Sequence, residues 1–151
     1  MKIKRCKIQN VRALKDLEIN FSTDSGKPLT VIRAANGFGK TTLLNALRWG
    51  LFGEKGLESS NYHFMPDDHE RNKSVATVEI DFEHSDRVGP KDYRIIRTRE
   101  ERRGSDRKVS VGNSLLYLYR MHDTGEDDLD NPDAKLAPML PNELRDVFFT
   151  D

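Results

Sequence analysis

The sequence predicts an α/β fold: strands packed on a helix that opens out of a glycine-bearing loop, followed by an antiparallel β-lobe. Three observations predict it. Leu17, Ile19 and Phe21 alternate with Glu18 and Asn20, and Val78, Ile80 and Phe82 alternate with Glu79 and Asp81, the period of half-buried strands. Leu43, Leu44, Leu47 and Leu51 recur at helical spacing within 40–52 (KTTLLNALRWGLF). Immediately before that helix come a short apolar run, PLTVIR, and a small loop carrying Gly37 and Gly39.

The elements follow in order. Ile3, Cys6 and Ile8 make an imperfectly alternating first strand, and 17–21 a cleaner second one. Asp24, Ser25 and Gly26 supply turn chemistry within 22–27. The run 28–33 reads as a buried strand, 34–39 as the loop and 40–52 as the helix. Ala46 widens the apolar face of that helix, and Gly53 stops it. Residues 54–74 are polar, contain Gly, Pro and Asp, and read as a long excursion. A strand around 78–82 opens the β-lobe. Segments 93–98 and 108–111 form a hairpin or meander joined by 99–107, and LLYLY at 115–119 is another apolar run. An acidic surface loop covers 121–140, and 141–149 forms a short helix with Pro141 near its start. The chain is thus expected to be a single lobe over 1–151, divided into 1–53, 54–74, 75–120, 121–140 and 141–151.

The chain has 151 residues, 36% hydrophobic and 33% charged, with a formal net charge of 0. That composition suits one globular domain and excludes a polycation built for nucleic acid. Charge is nevertheless segregated. Arg94, Arg97, Arg99, Arg102, Arg103, Arg107 and Lys108 crowd one stretch, while Asp123, Glu126, Asp127, Asp128, Asp130 and Asp133 occupy another. The single cysteine, Cys6, precludes an internal disulfide and reads as a small core residue. The start, MKIKRCKIQN, lacks a signal-peptide apolar run, and no stretch is apolar enough to span a membrane. A cytoplasmic protein with no membrane partner is expected.

The chemistry lies in Ala34-Ala35-Asn36-Gly37-Phe38-Gly39-Lys40-Thr41. A phosphate-binding loop reads Gly, four residues, Gly-Lys and Ser or Thr; here Ala34 replaces the first Gly. The first N–H groups of a helix lack carbonyl partners, and the helix dipole makes that end positive. Glycines let the backbone curl so that several N–H groups converge on one anion. Ala35, Asn36, Gly37, Phe38 and Gly39 would cradle the phosphates. Lys40 would reach the β- and γ-phosphates, Thr41 would place its hydroxyl on Mg²⁺, and Thr42 would sit near the α-phosphate. The ligand this pattern calls for is ATP with Mg²⁺. A glycine-rich turn with an incidental lysine is the bland alternative, set against the ordered strand, both glycines, Gly-Lys-Thr-Thr and the helix.

The flanks, IKRCKIQNVRALKDLEINF and LTVIRAANGFGKTTLLNALRWGLFG, resemble the N-terminus of SMC-type ATPases. That group includes the Rad-fifty and SbcC repair proteins and the DndD-like ATPase associated with DNA phosphorothioation. The shared features are a basic first strand, Asn10-Val11-Arg12, a strand ending in Phe21, the Asn-Gly-x-Gly-Lys-Thr-Thr loop and a helix ending in Leu51-Phe52-Gly53. The resemblance is dense over 1–53 and thin afterwards, until LPNELRDVFFTD, which looks like the approach to the Q-loop in the DndD-like branch.

The resemblance implies the N-terminal half of an ABC-type ATPase head, with a mixed sheet and an antiparallel β-lobe. It implies Arg12 close to the nucleotide phosphates; a surface arginine at a strand end is the equal alternative. It implies Asp151 in the place of the Q-loop glutamine, which contacts Mg²⁺ and the attacking water. Lys40 and Asp151 would then be the catalytic residues present. The implied partners are the C-terminal half of the head, a second head, and DNA. Because the signature motif and Walker B carboxylates belong to those partners, this chain alone is expected to bind ATP without efficient hydrolysis. A small P-loop kinase and a non-catalytic, nucleotide-gated interaction module are the other readings.

Remaining features are weighed more blandly. The arginine-rich hairpin could meet DNA phosphates, but Glu100, Glu101 and Asp106 interrupt it, and a solvated charged tip is the preferred reading. His63 and His69, with Asp67 and Asp68 between them, match no zinc spacing. Tyr117 and Tyr119 read as sheet-face or core residues.

Overall fold

Six strands and one long helix account for the architecture, with residues 1–27, 29–33, 35, 37–59, 62–66 and 72–140 described by the computed structural model. The strands are β1 (Lys2–Val11), β2 (Leu14–Asn20), β3 (Lys73–Asp86), β4 (Gly89–Arg103), β5 (Val109–His122) and β6 (Gly125–Asp128). The long helix α1 is Lys40–Phe52, followed by a 3₁₀ turn at Gly53–Gly56, and a short helix α2 is Pro132–Leu136. The sheet order is β2-β1-β3-β4-β5-β6, with every pairing antiparallel.

Alternation decides which face is buried. Cys6 and Ile8 of β1, Val78, Ile80 and Phe82 of β3, Tyr93 and Ile95 of β4 and Leu118 of β5 form one apolar face. Registers Cys6↔Ile80, Ile80↔Ile95 and Ile95↔Leu118 align these residues across four strands. Helix α1 covers that face with Leu43, Ala46, Trp49 and Leu51. The opposite face carries a charged lattice. Arg5 of β1 meets Glu18, Glu79 and Asp81, and Arg94 of β4 meets Asp81 at 2.7 Å and Glu126 at 3.4 Å. The carboxylates of this lattice hold both guanidinium groups above their ordinary pKa.

Four expectations differ from the structure. The run 28–33 was expected to be a buried strand; residues 29–33 join no ladder, and Leu29 and Val31 are 77% and 63% exposed. A strand needs ladder bonds to a neighbour, and the backbone of 29–33 pairs with none of the described strands. No parallel strand occurs among the described residues, which form the antiparallel part of the expected sheet. The polar excursion 54–74 hides a buried segment: Phe64 and Met65 are both 0% exposed, and the Phe64 ring lies 4.9 Å from that of Trp49. Truncating such an aromatic to Ala costs about 3–5 kcal/mol. The acidic stretch contains β6 and α2 rather than loop alone, because β6 pairs with β5 from Tyr119↔Asp128 to His122↔Gly125. Finally, β4 and β5 run longer than expected, so Arg99 lies within a strand and not in a loop.

Candidate nucleotide site

Helix α1 begins where the glycine loop ends. Gly37 and Gly39 have φ of 84° and 86°, the left-handed region that L side chains rarely adopt. Phe38 N–H donates to the Ala35 carbonyl at 3.3 Å, closing the turn, and Leu43 N–H makes a helical bond to the Gly39 carbonyl at 2.8 Å. The N–H groups of Thr41 and Thr42 precede that bond and, as first-turn donors, have no acceptor within the helix. No side chain of the described residues caps the helix start. Lys40, Thr41 and Phe38 are exposed, and Thr42 is half-buried. Downstream, the helix is anchored by buried Leu43, Ala46 and Trp49, so this positive end is fixed in place.

The turn between β1 and β2 abuts this loop. A methyl group on Gly39 would sit 3.4 Å from Leu14 Cδ2, so the cradle is shaped by the first residue of β2. Arg12 lies two residues earlier, with φ of 49°, and Asn10 has φ of 55°. Such conformations cost an L-residue roughly 1–2 kcal/mol each. Arg12 N–H donates to the Phe64 carbonyl at 2.7 Å, and Arg12 Nε–H donates to the His63 carbonyl at 3.1 Å. Its guanidinium carbon lies 4.6 Å from the centre of the Tyr62 ring. The inner nitrogen is thereby committed, while the terminal nitrogens have no hydrogen-bond partner among the described residues.

The donor set fits a triphosphate and its divalent cation. Left-handed glycines, the first N–H groups of a helix, Lys40 and Arg12 suit phosphate oxygens, and the Thr41 hydroxyl suits Mg²⁺. Ala34, Asn36 and the 141–151 run with Asp151 lie outside the described residues.

Sequence reasoning missed a buried network beside this turn. Arg99 and Glu101, both 1% exposed, point from β4 into the core. Arg99 donates from Nε and Nη2 to Glu101 Oε1 at 3.1 and 2.7 Å, and from Nη2 to the Tyr62 carbonyl at 2.9 Å. Glu101 accepts the Phe64 N–H on its carboxylate oxygens at 2.9 and 2.8 Å. The signal that could have found them is period-2 continuation: Arg97, Arg99 and Glu101 extend the inward series Tyr93, Ile95.

Other candidates contribute less. Arg97 is 6% exposed and donates to the Gly50 carbonyl, and its burial pulls the guanidinium below its ordinary pKa. Arg102 pairs with Glu100, Arg103 donates to the Pro66 carbonyl, and Lys108 lies 3.7 Å from Asp106. His63 contributes its carbonyl, His69 is outside the described residues, and no group of three metal-ligating side chains occurs among the described residues. No helix of the described residues is long and apolar enough to cross a membrane.

A β-sheet lobe packed on a helix that leaves a left-handed glycine loop at Gly-Lys-Thr defines the N-terminal half of a P-loop NTPase head. The chain belongs to the AAA-domain family, whose sequence model matches residues 5–137. It is similar to the DNA double-strand break repair Rad50 ATPase of Methanosarcina acetivorans, 33% identical over 119 residues covering 79% of this chain. It is also 37% identical over 84 residues, 56% of the chain, to the protein of that name from Methanosarcina mazei. The chain spans only 10% and 7% of the length of these two curated relatives. A solved structure from work on ATP-driven dimerization and DNA-stimulated activation of SMC ATPases shares the fold. Its TM-score is 0.51 at 18% identity, covering 95% of this chain and 80% of that one.

Proposed function

We infer that this chain is the ATP- and Mg²⁺-binding N-terminal lobe of an SMC-like ATPase acting on DNA. One observation carries the reading: left-handed Gly37 and Gly39 deliver an exposed Lys40-Thr41 to the start of a helix pinned by the core. Lys40 neutralises the β- and γ-phosphates, Thr41 ligates Mg²⁺, and the backbone from Ala35 to Gly39 cradles the chain of phosphates. Mg²⁺, which the Thr41 hydroxyl would hold, would supply charge neutralisation to the phosphates.

Hydrolysis belongs to an assembly. The apolar run at 29–33, with Leu29, Val31 and Ile32 exposed beside the loop, supports a C-terminal half that covers it; a second head that closes the site rests on the resemblance to SMC-type ATPases. DNA as a partner rests on the relatives. Within the arginine hairpin, Arg94, Arg99, Arg102 and Lys108 already meet carboxylates of the chain, so it is not assigned that role. The DndD-like assignment rests on LPNELRDVFFTD alone, and a place in repair or in defence follows from the whole protein.

Calorimetric titration tests the reading. Mg-ATP should bind the parent chain, and Lys40→Ala should weaken binding at least about tenfold, the loss of one charge-assisted contact of about 1.4 kcal/mol or more. Unchanged affinity in that variant would sink the assignment. Turnover should appear only when the C-terminal half is supplied.

A further inference from the structure

The 62–66 segment makes no strand ladder, yet Phe64, Met65 and Pro66 are buried. Buried backbone groups need partners. Here side chains supply them. The Glu101 carboxylate takes the Phe64 N–H, Arg99 donates to the Tyr62 carbonyl, and Arg103 donates to the Pro66 carbonyl at 2.7 Å. Arg99 also lies under two rings, 4.7 Å from Phe64 and 5.3 Å from Trp49. A fully buried ion pair gains little net stability over an apolar pair of similar volume, because both charges are desolvated. What an apolar pair cannot do is fix the backbone of 62–66.

The other side of that segment faces Arg12. The Phe64 carbonyl holds the Arg12 N–H, the His63 carbonyl holds its Nε–H, and the Tyr62 ring lies against its guanidinium. We propose that Arg99 and Glu101 are positioning residues: they hold the 62–66 segment and, through it, aim the guanidinium of Arg12 at the nucleotide phosphates. Strained left-handed backbone at Arg12 persists because this frame over-determines it. The proposal rests on the nucleotide reading for its last step only; the frame itself is a property of the chain.

The test separates the two. Arg99→Met/Glu101→Leu replaces the pair with apolar groups, removing the anchors without burying a lone charge. The sheet should stay folded, as read from its amide spectrum. In the parent, the Arg12 Nε–H should give a slowly exchanging NMR signal, identified by its loss in Arg12→Ala. In the double variant, exchange of that proton should accelerate at least about tenfold, the scale of coupling between directly bonded neighbours. Mg-ATP affinity should fall about as much in the double variant as in Arg12→Ala, and the triple variant should fall no further. An unchanged Arg12 Nε–H signal in a folded double variant overturns the proposal, as do fully additive losses of affinity. If the parent fails to bind Mg-ATP, the nucleotide reading falls, and the exchange measurement alone decides whether the frame holds Arg12.

Discussion

Gly50 of α1 lies directly on Val78 of β3: a methyl group at Gly50 would come within 2.6 Å of Val78 Cγ1 and 2.9 Å of Ile80 Cδ1. Helix and sheet therefore approach as closely as a bare Cα allows. The sequence places this glycine inside a helix, where Ala is intrinsically better by about 1 kcal/mol. Overpacking a well-filled site costs about 1–3 kcal/mol. Val78 is β-branched and central in the sheet, so it has little room to yield. Gly50→Ala should lower stability by a net 1 kcal/mol or so, the difference between those terms. Urea unfolding followed by the fluorescence of the single tryptophan, Trp49, reads it. A raised midpoint would mean that the helix is seated elsewhere.

Glu54 gives a pH dependence with a definite sign. Burial alone would push its carboxyl up. Hydrogen bonds from the Ser114 hydroxyl, its own main chain and the Trp49 indole, with the field of Arg99, outweigh burial and hold it below the usual carboxylate range. A carboxylate depressed in the folded state contributes stability that is complete above its unfolded pKa, about 4.3, and is lost as pH falls through the folded value. Glu54→Gln should therefore be less stable than the parent at pH 7, with the gap closing as pH falls below about 4. Other depressed carboxylates, Glu18, Asp86, Glu100 and Asp127, are common to both proteins and cancel in the difference. Parallel stability curves from pH 7 to pH 3 would refute a role for Glu54 beneath Trp49.

Cys6 is 0% exposed, and burial pushes its thiol pKa up to about 12. A thiol reagent at pH 8 meets neither thiolate nor access. Labelling should proceed only through opening of the sheet. It should run on the order of several thousandfold slower than in denaturant, as a stability of about 5 kcal/mol implies. Rapid labelling of folded protein would displace β1 from the core.

The glycine loop and the helix start after it were legible because their cause is local: contiguous residues create the curl and the positive helix end. Helix α1 and strands β2 and β3 were legible because their apolar residues keep a clean period. The rest depended on contacts between distant residues. Leu29, Val31 and Ile32 have the composition of a buried strand, but composition cannot supply a neighbouring edge. Arg99 and Glu101 look solvated in sequence, because only the fold brings Tyr62 and Phe64 to meet them. Phe64 and Met65 are two apolar residues in a polar stretch, too short a run to declare burial. Arg12 left two readings open, phosphate contact or a surface arginine; the structure shows its inner nitrogen committed to the His63 carbonyl and its guanidinium against the Tyr62 ring.

The connectivity of the sheet sets an order of assembly. Strands β3 to β6 follow one another as successive hairpins, whose ends meet across short turns. β1 must instead find β3 across the whole intervening chain; Arg5 and Glu79 are 74 residues apart. Closing that span has a far larger entropic cost than closing a hairpin, and such non-local pairings are what slow the folding of β proteins. The glycine loop and its helix lie inside this span. In a refolding tube, the meander is therefore expected to form before β1 finds β3. The phosphate cradle would be completed late, by the closure that also seals Cys6 against Ile80.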